Sequence, residues 1–187
     1  MRVLVACEFS GIVRSAFRAK GHDAWSCDLL PAEDKGEHIQ GDVFEHLCEG
    51  WDLLIGHPPC RYLANSGVRW LKTSPERWKQ LDDAARDFKL LLQADIARIA
   101  LENPIPHKYA LARIRRKYDQ IIQPWMFGHG ETKATCLWLN NLPKLEPTNI
   151  VEGRTPRVHH ASPGPDRWKE RSRTLLGIAE AMADQWA

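Results

Sequence analysis

The fold of this chain is constrained most by two short apolar runs, each followed within a few residues by proline and a reactive side chain. Residues 52–56 precede two prolines and Cys60, and residues 96–101 precede Glu102, an asparagine and a proline. Proline can neither donate to a sheet ladder nor continue a strand, so each run is predicted to be a buried parallel strand that stops abruptly. Open α/β sheets place their ligand crevice at the carboxyl ends of such strands. The sequence therefore predicts that a thiol and a carboxyl group meet at one rim of a sheet.

The composition is typical of an ordinary globular domain. The 187 residues are 43% hydrophobic and 27% charged, which predicts a single domain over residues 1–187. A formal charge of +2 does not by itself indicate a nucleic-acid partner. Basic side chains cluster at residues 113–117 and 154–173, where they form either a basic face or a solvated surface. The sequence has neither a long apolar run nor a leader-like start, so we expect no membrane span and a cytoplasmic protein.

Five cysteines occur without the short paired spacings of a disulfide framework or a zinc site. We therefore expect reduced thiols and no bound metal. Cys7, Cys27 and Cys136 lie in or beside apolar runs, where a free cysteine behaves as a small hydrophobic residue. Cys60 differs because two prolines precede it and a polar, glycine-containing segment, residues 61–74, follows it. Cys60 is the candidate reactive thiol.

Apolar periodicity predicts strands that alternate with helices. The predicted strands cover residues 2–7, 23–28, 39–43, 52–56, 96–101, 120–125 and 135–139, and the predicted helices cover residues 11–20, 75–93, 106–118 and 171–186. Residues 140–170 are predicted to be rich in loops. Alternation of this kind predicts an α/β fold with a Rossmann-like, doubly wound and largely parallel sheet.

Several motifs, in this order along the chain, resemble those of the DNA cytosine-5 methyltransferases. The two most specific matches surround the predicted strand ends, because the family has Gly-Gly-Pro-Pro-Cys at the first and Glu-Asn-Val at the second. The matching residues are Phe9-Ser10-Gly11, Asp28, Gly41-Asp42-Val43, Gly56-His57-Pro58-Pro59-Cys60 and Glu102-Asn103-Pro104. The chain resembles a minimal member of that family, in which residues 140–170 stand in place of a full target-recognition domain.

The resemblance implies a fold of the S-adenosylmethionine-dependent methyltransferase type, with S-adenosylmethionine as cofactor and DNA as partner. It implies that Asp28 takes the ribose hydroxyls and Asp42 the adenine amino group. The full set of implied cofactor-binding residues is Phe9, Ser10, Gly11, Asp28, Asp42 and Pro58. The implied catalytic residues are Cys60 and Glu102, and the candidate substrate-binding residues are Arg61, Asn103, Lys133 and Thr135.

The chemistry of cytosine methylation calls for these residue types. C5 of cytosine is a poor nucleophile, and addition of a Cys60 thiolate at C6 would push electron density into the ring. Glu102 would relieve the resulting negative charge by sharing a proton with N3, which calls for a carboxyl group with a raised pKa. Neither ring carbon is accessible within a stacked duplex, so the base must be flipped out. Residues 61–74 either close over such a substrate or form an ordinary surface loop.

The sequence also departs from the family pattern. His57 replaces a glycine, where it either lowers the pKa of the thiol or serves the turn. Arg61 replaces a glutamine, and a Gln-x-Arg-x-Arg motif is reduced to one cation, Lys133. Arg14 stands where the family has glycine, and it either approaches the cofactor carboxylate or faces solvent. The small region for target recognition predicts short or relaxed sequence specificity.

Other functions remain open. The same fold and cofactor would serve an enzyme acting on RNA or on a free pyrimidine nucleotide, and a noncatalytic nucleic-acid-binding relative is a third possibility. An amino-methyltransferase fits less well, because His57 precedes and Cys60 follows the two prolines. A dinucleotide oxidoreductase is disfavoured because no Gly-x-Gly-x-x-Gly opens the first helix.

Overall fold

The computed structural model of the chain describes residues 1–157, 160, 162, 164 and 167–187. In this part of the chain one seven-stranded sheet is flanked by helices. The strands are β1 (Arg2–Ala6), β2 (Asp23–Asp28), β3 (His38–Gln40), β4 (Leu53–Gly56), β5 (Arg98–Pro104), β6 (Gln120–Ile122) and β7 (Thr135–Asn140). The helices are α1 (Ile12–Ala19), α2 (Glu76–Leu92), α3 (Lys108–Ile114), α4 (Arg167–Ser172) and α5 (Leu176–Trp186).

The sheet has the strand order β3-β2-β1-β4-β5-β7-β6. The first five strands in this order pair in parallel, whereas β7 runs antiparallel to both β5 and β6. The predicted fold class, an α/β fold with a Rossmann-like, doubly wound and largely parallel sheet, is confirmed. The strand order reverses between β1 and β4, and sheets of this kind bind ligands outside the carboxyl ends of the strands at such a point.

Both faces of the sheet are buried, which explains why the central strands are apolar without alternation. All four residues of β4 are buried, as are four of the five in β1. On one face α1 and α5 pack on side chains such as Val5 and Ile55. On the other face α2 and α3 pack on side chains such as Leu4 and Leu54. Successive residues of each central strand thus point into different cores.

Strand β5 is longer than predicted. The proline was expected to end it at residue 101, but the strand continues through Glu102 to Pro104. The reason is its antiparallel neighbour β7, which pairs Glu102 with Leu137 and Pro104 with Thr135. On the other side β4 stops at Gly56, opposite Leu101. Beyond Leu101 the strand therefore has a sheet partner on one side only, and proline is tolerated at such an edge position.

Other element boundaries also differ from the predictions. The predicted closing helix is interrupted at residues 173–175, which separate α4 from α5. The predicted strand over residues 120–125 ends at Ile122, and a 3-10 turn, Pro124–Met126, replaces its second half. Residues 61–74 are not an open loop, because most of them form the 3-10 segments Cys60–Tyr62 and Asn65–Lys72.

The segment predicted to be rich in loops, residues 140–170, has few regular elements where the structure describes it. Asn140 is the last residue of β7; from residue 141 to residue 157 the strand-like pairing consists of isolated bridges at Asn149 and Thr155, and α4 begins at Arg167. Residues 158, 159, 161, 163, 165 and 166 lie outside the described residues. In the described part of the chain, no helix is both long enough and apolar enough to cross a membrane.

Candidate active site

A cavity of about 470 Å³ opens where β1, β2, β4 and β5 end. This volume lies within the usual range for sites that hold small molecules and cofactors, roughly 300–1,000 Å³. Cys60 and Glu102, the predicted thiol and carboxyl group, both line it. The candidate cofactor residues that line the same cavity are Phe9, Ser10, Asp28 and Pro58.

The loop between β1 and α1 is fixed by Glu8, a residue that the sequence analysis did not single out. Its buried carboxylate accepts hydrogen bonds from the backbone N–H groups of Val13 at 2.7 Å and Arg14 at 3.2 Å. Glu8 therefore satisfies free donors in the first turn of α1. Phe9 and Ser10 follow directly and form part of the cavity wall.

Gly11 does not line this cavity; it begins α1 in the left-handed region, with φ of 69°. A Cβ at this position would collide with the guanidinium of Arg14. Arg14 is 1% exposed, donates to Ser26 at 3.1 Å and pairs with Asp34. Burial acts to raise the pKa of Asp34, but the contacts with Arg14 and a backbone N–H outweigh it and the pKa is lowered. Arg14 is thus neither solvent-facing nor part of the cavity wall.

The two candidate aspartates have different surroundings. Asp28 lies at the end of β2, lines the cavity and accepts a hydrogen bond from the Leu30 N–H at 2.9 Å. Asp42 is exposed and lies outside the cavity, where its side chain accepts from the Phe44 N–H at 3.1 Å and caps a 3-10 turn. Only Asp28 is therefore in position to meet a ligand in this cavity.

Cys60 begins the 3-10 turn that follows Pro59, and the residue is exposed at the cavity. Loss of hydration among the cavity walls raises the pKa of the Cys60 thiol, and the carboxylate of Glu102 raises it further. Lys133 and Arg171 oppose that rise without cancelling it. The free thiol is therefore protonated at neutral pH, and forming the thiolate requires a proton acceptor or added positive charge.

Glu102 and His57 form a close pair beside Cys60. Nδ1 of His57 lies 3.5 Å from Oε1 of Glu102, and the two side chains are 7% and 15% exposed. Burial acts to raise the pKa of Glu102, but His57 and then Lys133 outweigh it and lower the pKa. The expectation of a raised pKa for the isolated Glu102 carboxyl is therefore wrong, because the sequence did not reveal its histidine neighbour.

The pairing with Glu102 gives His57 a contact that neither of the two roles considered for it included. Burial acts to lower the pKa of His57, but Glu102 and then Glu8 outweigh it and raise the pKa. The imidazole in turn lowers the pKa of the Glu102 carboxyl.

The four candidate substrate-binding residues divide into two pairs. Arg61 and Lys133 line the cavity, whereas Asn103 and Thr135 are buried behind it. Asn103 donates from Nδ2 to the Pro58 carbonyl at 3.2 Å. Thr135 donates from its hydroxyl to the Lys133 carbonyl at 3.2 Å. Asn103 and Thr135 therefore support the backbone of residues that line the cavity.

One side of the cavity is formed by residues 168–174, which we call the strap. Trp168 packs on Phe9 with ring centroids 5.8 Å apart. Arg173 pairs with both carboxylate oxygens of Glu33, at 2.6 and 2.8 Å, and its carbonyl accepts from Lys133 Nζ at 3.0 Å. Local sequence patterns give no sign of such distant contacts, although the basic cluster at residues 154–173 was visible. The strap residues that line the cavity are Trp168, Arg171, Ser172, Arg173 and Thr174.

Cys7 also lines the cavity, although it was expected to be an ordinary core thiol. Its φ of 58° turns the chain at the end of β1. Burial and then the Asp28 carboxylate raise the pKa of Cys7 to about 12, which keeps this thiol protonated and unreactive. Among the described residues there is no group of three or more His, Cys, Asp or Glu side chains that could hold a metal ion.

No protein-family model and no curated protein matches this sequence. Solved structures that are similar include an E. coli prophage protein described as a candidate DNA modification methyltransferase, with 14% identity and a TM-score of 0.49. Another is the Entamoeba histolytica methyltransferase EhMeth, with 16% identity and a TM-score of 0.49. The matches cover 81% and 88% of this chain but 52% and 60% of those two chains. One fold can support many functions, so activity must be argued from the cavity itself.

Proposed function

We propose that this protein is an S-adenosylmethionine-dependent DNA (cytosine-5) methyltransferase, formed by a single domain over residues 1–187. The observation that carries the proposal is the shared cavity, in which Cys60 and Glu102 lie together with Phe9, Asp28 and Pro58. A nucleophile, a carboxyl group that can carry a proton and a set of side chains suited to a nucleoside cofactor thus surround one space.

Cys60 is the proposed nucleophile. The Cys60 thiol gives its proton to the Glu102 carboxylate, and the resulting thiolate adds to C6 of the pyrimidine and moves the electrons of the C5–C6 double bond into the ring. Glu102 is the proposed acid, which then passes that proton to N3 and so neutralises the charge that the addition creates. Lys133 and Arg171 line the same cavity and favour the anionic thiolate, because both act to lower the pKa of Cys60.

The residues present fit S-adenosylmethionine. The Asp28 carboxylate supplies acceptors for ribose hydroxyls, and Phe9, Pro58 and Trp168 supply apolar and aromatic wall for the adenine and the thioether region. When bound, the cofactor supplies an electrophilic methyl group. Gly11 and Asp42 remain candidates for this role, but both lie outside the cavity, so we expect their contribution to be smaller.

DNA is the proposed substrate, with the target base outside the stack. The rim of the cavity carries the cations Arg61 and Arg171, which suit a phosphate backbone. Nearby in sequence, the 3-10 segment Asn65–Lys72 exposes 48% of Trp70, and the Arg69 guanidinium lies 4.7 Å from the Trp70 ring centroid. Exposed aromatic and cationic side chains of this kind stack on unpaired bases.

A related enzyme acting on RNA or on a free pyrimidine nucleotide is the alternative, and a noncatalytic relative is a further one. To separate them, the protein is incubated with methyl-labelled S-adenosylmethionine and duplex DNA, RNA or cytidine nucleotides. We expect label at C5 of cytosine in DNA, and binding of DNA that weakens steeply with salt. Label in RNA or nucleotides alone would favour the related enzyme, and no label in any pool would favour the noncatalytic relative.

A further inference from the structure

The strap, residues 168–174, is anchored near both of its ends. Near its start, the ring of Trp168 packs on the ring of Phe9, in the loop between β1 and α1. Near its end, Nη2 of Arg173 contacts both carboxylate oxygens of Glu33, in the loop between β2 and β3. The two anchors are themselves joined, because the Glu33 N–H donates to the Phe9 carbonyl at 2.9 Å. Glu33 and Phe9 thus form one platform for the strap.

The loop that carries Glu33 is held in place by Arg14. The guanidinium of Arg14 is buried, pairs with Asp34 and donates to the Ser26 hydroxyl at 3.1 Å. It packs so closely on this loop that a Cβ at Gly36 would collide with it. A charged group buried in this way must keep its partners, because losing one leaves an uncompensated charge. The residues next to Glu33 therefore have a fixed position, and the Glu33 side chain is a firm attachment point.

The strap has little apolar contact of its own to keep it in place. None of the six residues of α4, all of which the structure describes, is buried. Trp168 is still 50% exposed although it contacts Phe9. Most helical stability in proteins comes from a packed apolar face, which α4 lacks. The position of the strap therefore depends on its polar contacts, which include the ion pair of Arg173 with Glu33 and a hydrogen bond from Lys133 Nζ to the Arg173 carbonyl.

We propose that the Glu33–Arg173 ion pair is the clasp that holds the strap against the cavity, and that Glu33 is thereby a positioning residue for the cofactor. Glu33 does not line the cavity, so it acts through the strap residues that do. Asp28, the residue proposed for the ribose hydroxyls, ends the strand that precedes the loop of Glu33. This inference rests on the proposed function, because it takes S-adenosylmethionine as the ligand beside the strap.

The size of the effect follows from the population of the closed strap. A ligand that needs a wall segment in place binds less tightly in proportion to the fraction of molecules in which that segment is closed. An exposed ion pair can change such a fraction by a factor of about five at most. Loss of the clasp should therefore weaken binding of the cofactor roughly threefold to fivefold and leave the rest of the fold unchanged.

The first test examines the strap without any ligand. The protein is labelled with 5-fluorotryptophan, and the fluorine NMR signal of Trp168 is assigned with Trp168→Phe. We expect this signal in Glu33→Gln to move towards the position of free fluorotryptophan, because the indole spends less time against Phe9. Glu37→Gln is the matched control and should leave the signal in place, because Glu37 lies in the same loop but forms its similarly exposed ion pair with Arg18 of α1.

The second test measures affinity by isothermal titration calorimetry. The probe is S-adenosylhomocysteine, whose ammonium and carboxylate cancel, so that direct effects of a changed protein charge are small. We expect Glu33→Gln and Arg173→Gln each to weaken binding roughly threefold to fivefold, although they change the net charge in opposite directions. The double variant should lose no more than either single variant, because both substitutions remove the same clasp. Glu37→Gln should bind as the wild-type protein does.

The outcomes separate this inference from the proposed function. A shifted Trp168 signal in Glu33→Gln together with equal, non-additive losses of affinity supports the inference. An unchanged signal, unchanged affinity in Glu33→Gln, or losses that add in the double variant overturn it. If the wild-type protein binds the probe as expected but transfers no methyl group, the proposed methyltransferase is wrong and the clasp stands. If the wild-type protein binds neither the probe nor S-adenosylmethionine, the proposed cofactor and the positioning role of Glu33 are both wrong.

Discussion

Asn103 in β5 donates a hydrogen bond to the carbonyl of Pro58, over 3.2 Å, and so ties the strand that carries Glu102 to the loop that carries Cys60. Asn103 is 1% exposed, and its Oδ1 has no partner among the described residues. The bond thus fixes the two proposed catalytic segments relative to each other. A small shift of the Cys60 loop relative to β5 would slow a reaction whose groups must be aligned.

Asn103→Ala should therefore damage chemistry more than folding. We expect a loss of about 1 kcal/mol of unfolding free energy, typical of one buried hydrogen bond, and a fall of roughly tenfold or more in the single-turnover rate of methyl transfer. The matched control is Asn140→Ala, because Asn140 donates a similar bond to the Leu92 carbonyl at 2.7 Å. Equal rate losses in both variants would contradict a positioning role for Asn103.

Glu8→Ala tests whether the buried carboxylate of Glu8 stabilises the loop between β1 and α1. The carboxylate of Glu8 accepts from Val13 and Arg14, and its loss leaves buried donors unpaired. We expect the unfolding free energy to fall by about 1–3 kcal/mol, measured by denaturant titration. Glu8→Gln keeps one acceptor oxygen and should cost less. A Glu8→Ala variant of wild-type stability would show that the cap is not needed.

Asp28→Ala should weaken the binding of S-adenosylmethionine by about tenfold or more, since a hydrogen bond to a charged group is worth about 1.5–3 kcal/mol. Asp42→Ala should change the affinity less, because Asp42 lies outside the cavity and caps a turn. Isothermal titration calorimetry of both variants provides the comparison. A larger loss in Asp42→Ala would require a binding site that extends beyond this cavity.

The His57–Glu102 pair predicts how stability depends on pH. The pKa of Glu102 is lowered in the folded state, so its contribution is present above the unfolded value and is lost as the pH falls through the folded pKa. The pKa of His57 is raised, so its contribution is complete below the unfolded value near 6.5 and is lost as the pH rises through the folded pKa. Stability from the pair is therefore greatest between the two ordinary values, 4.5 for Glu102 and 6.5 for His57, and falls towards either folded pKa.

Denaturant titrations of the wild-type protein and Glu102→Gln across acidic and neutral pH measure this contribution. We expect the difference between them to be largest between pH 4.5 and 6.5, the ordinary pKa values of the two groups, and to shrink on either side. Glu45→Gln is the control, because Glu45 is exposed on a 3-10 turn. A difference that does not vary with pH would contradict ionisation of the pair.

The sequence allowed the sheet to be predicted because its central strands are continuous apolar runs, and the prolines correctly located the end of β4 at Gly56. The length of β5 could not be predicted in this way. It depends on pairing with β7, a strand more than thirty positions away whose register leaves no local mark. Local sequence patterns indicate which residues are buried and where the chain turns, whereas the register between two strands depends on the whole fold.

The part of the candidate site that lies at strand ends could be predicted from the same apolar runs, and the part that depends on contacts between distant segments could not. Residues at strand ends, such as Cys60 and Asp28, follow from the strand assignment and do line the cavity. The partner of His57 and the position of the strap depend on contacts between distant segments. The capping role of Asp42 was visible only as a general preference of aspartate for turns.

The proposed role of Cys60 is the centre of this account, and a covalent adduct tests it most directly. DNA that carries 5-fluorocytosine is incubated with the protein and S-adenosylmethionine, and the products are separated under denaturing conditions. Fluorine at C5 prevents the final loss of a proton, so the enzyme should remain bonded to C6. Intact-mass analysis and peptide mapping then identify the attached residue.

We expect the wild-type protein and Cys48→Ala to form the adduct, because Cys48 is a second exposed thiol outside the cavity. Cys60→Ala should form none, should lose methyl transfer and should keep its affinity for the cofactor. An adduct mapped to Cys60 confirms the nucleophile. Methyl transfer by Cys60→Ala at a near-normal rate, or an active wild-type protein that forms no adduct, would contradict it.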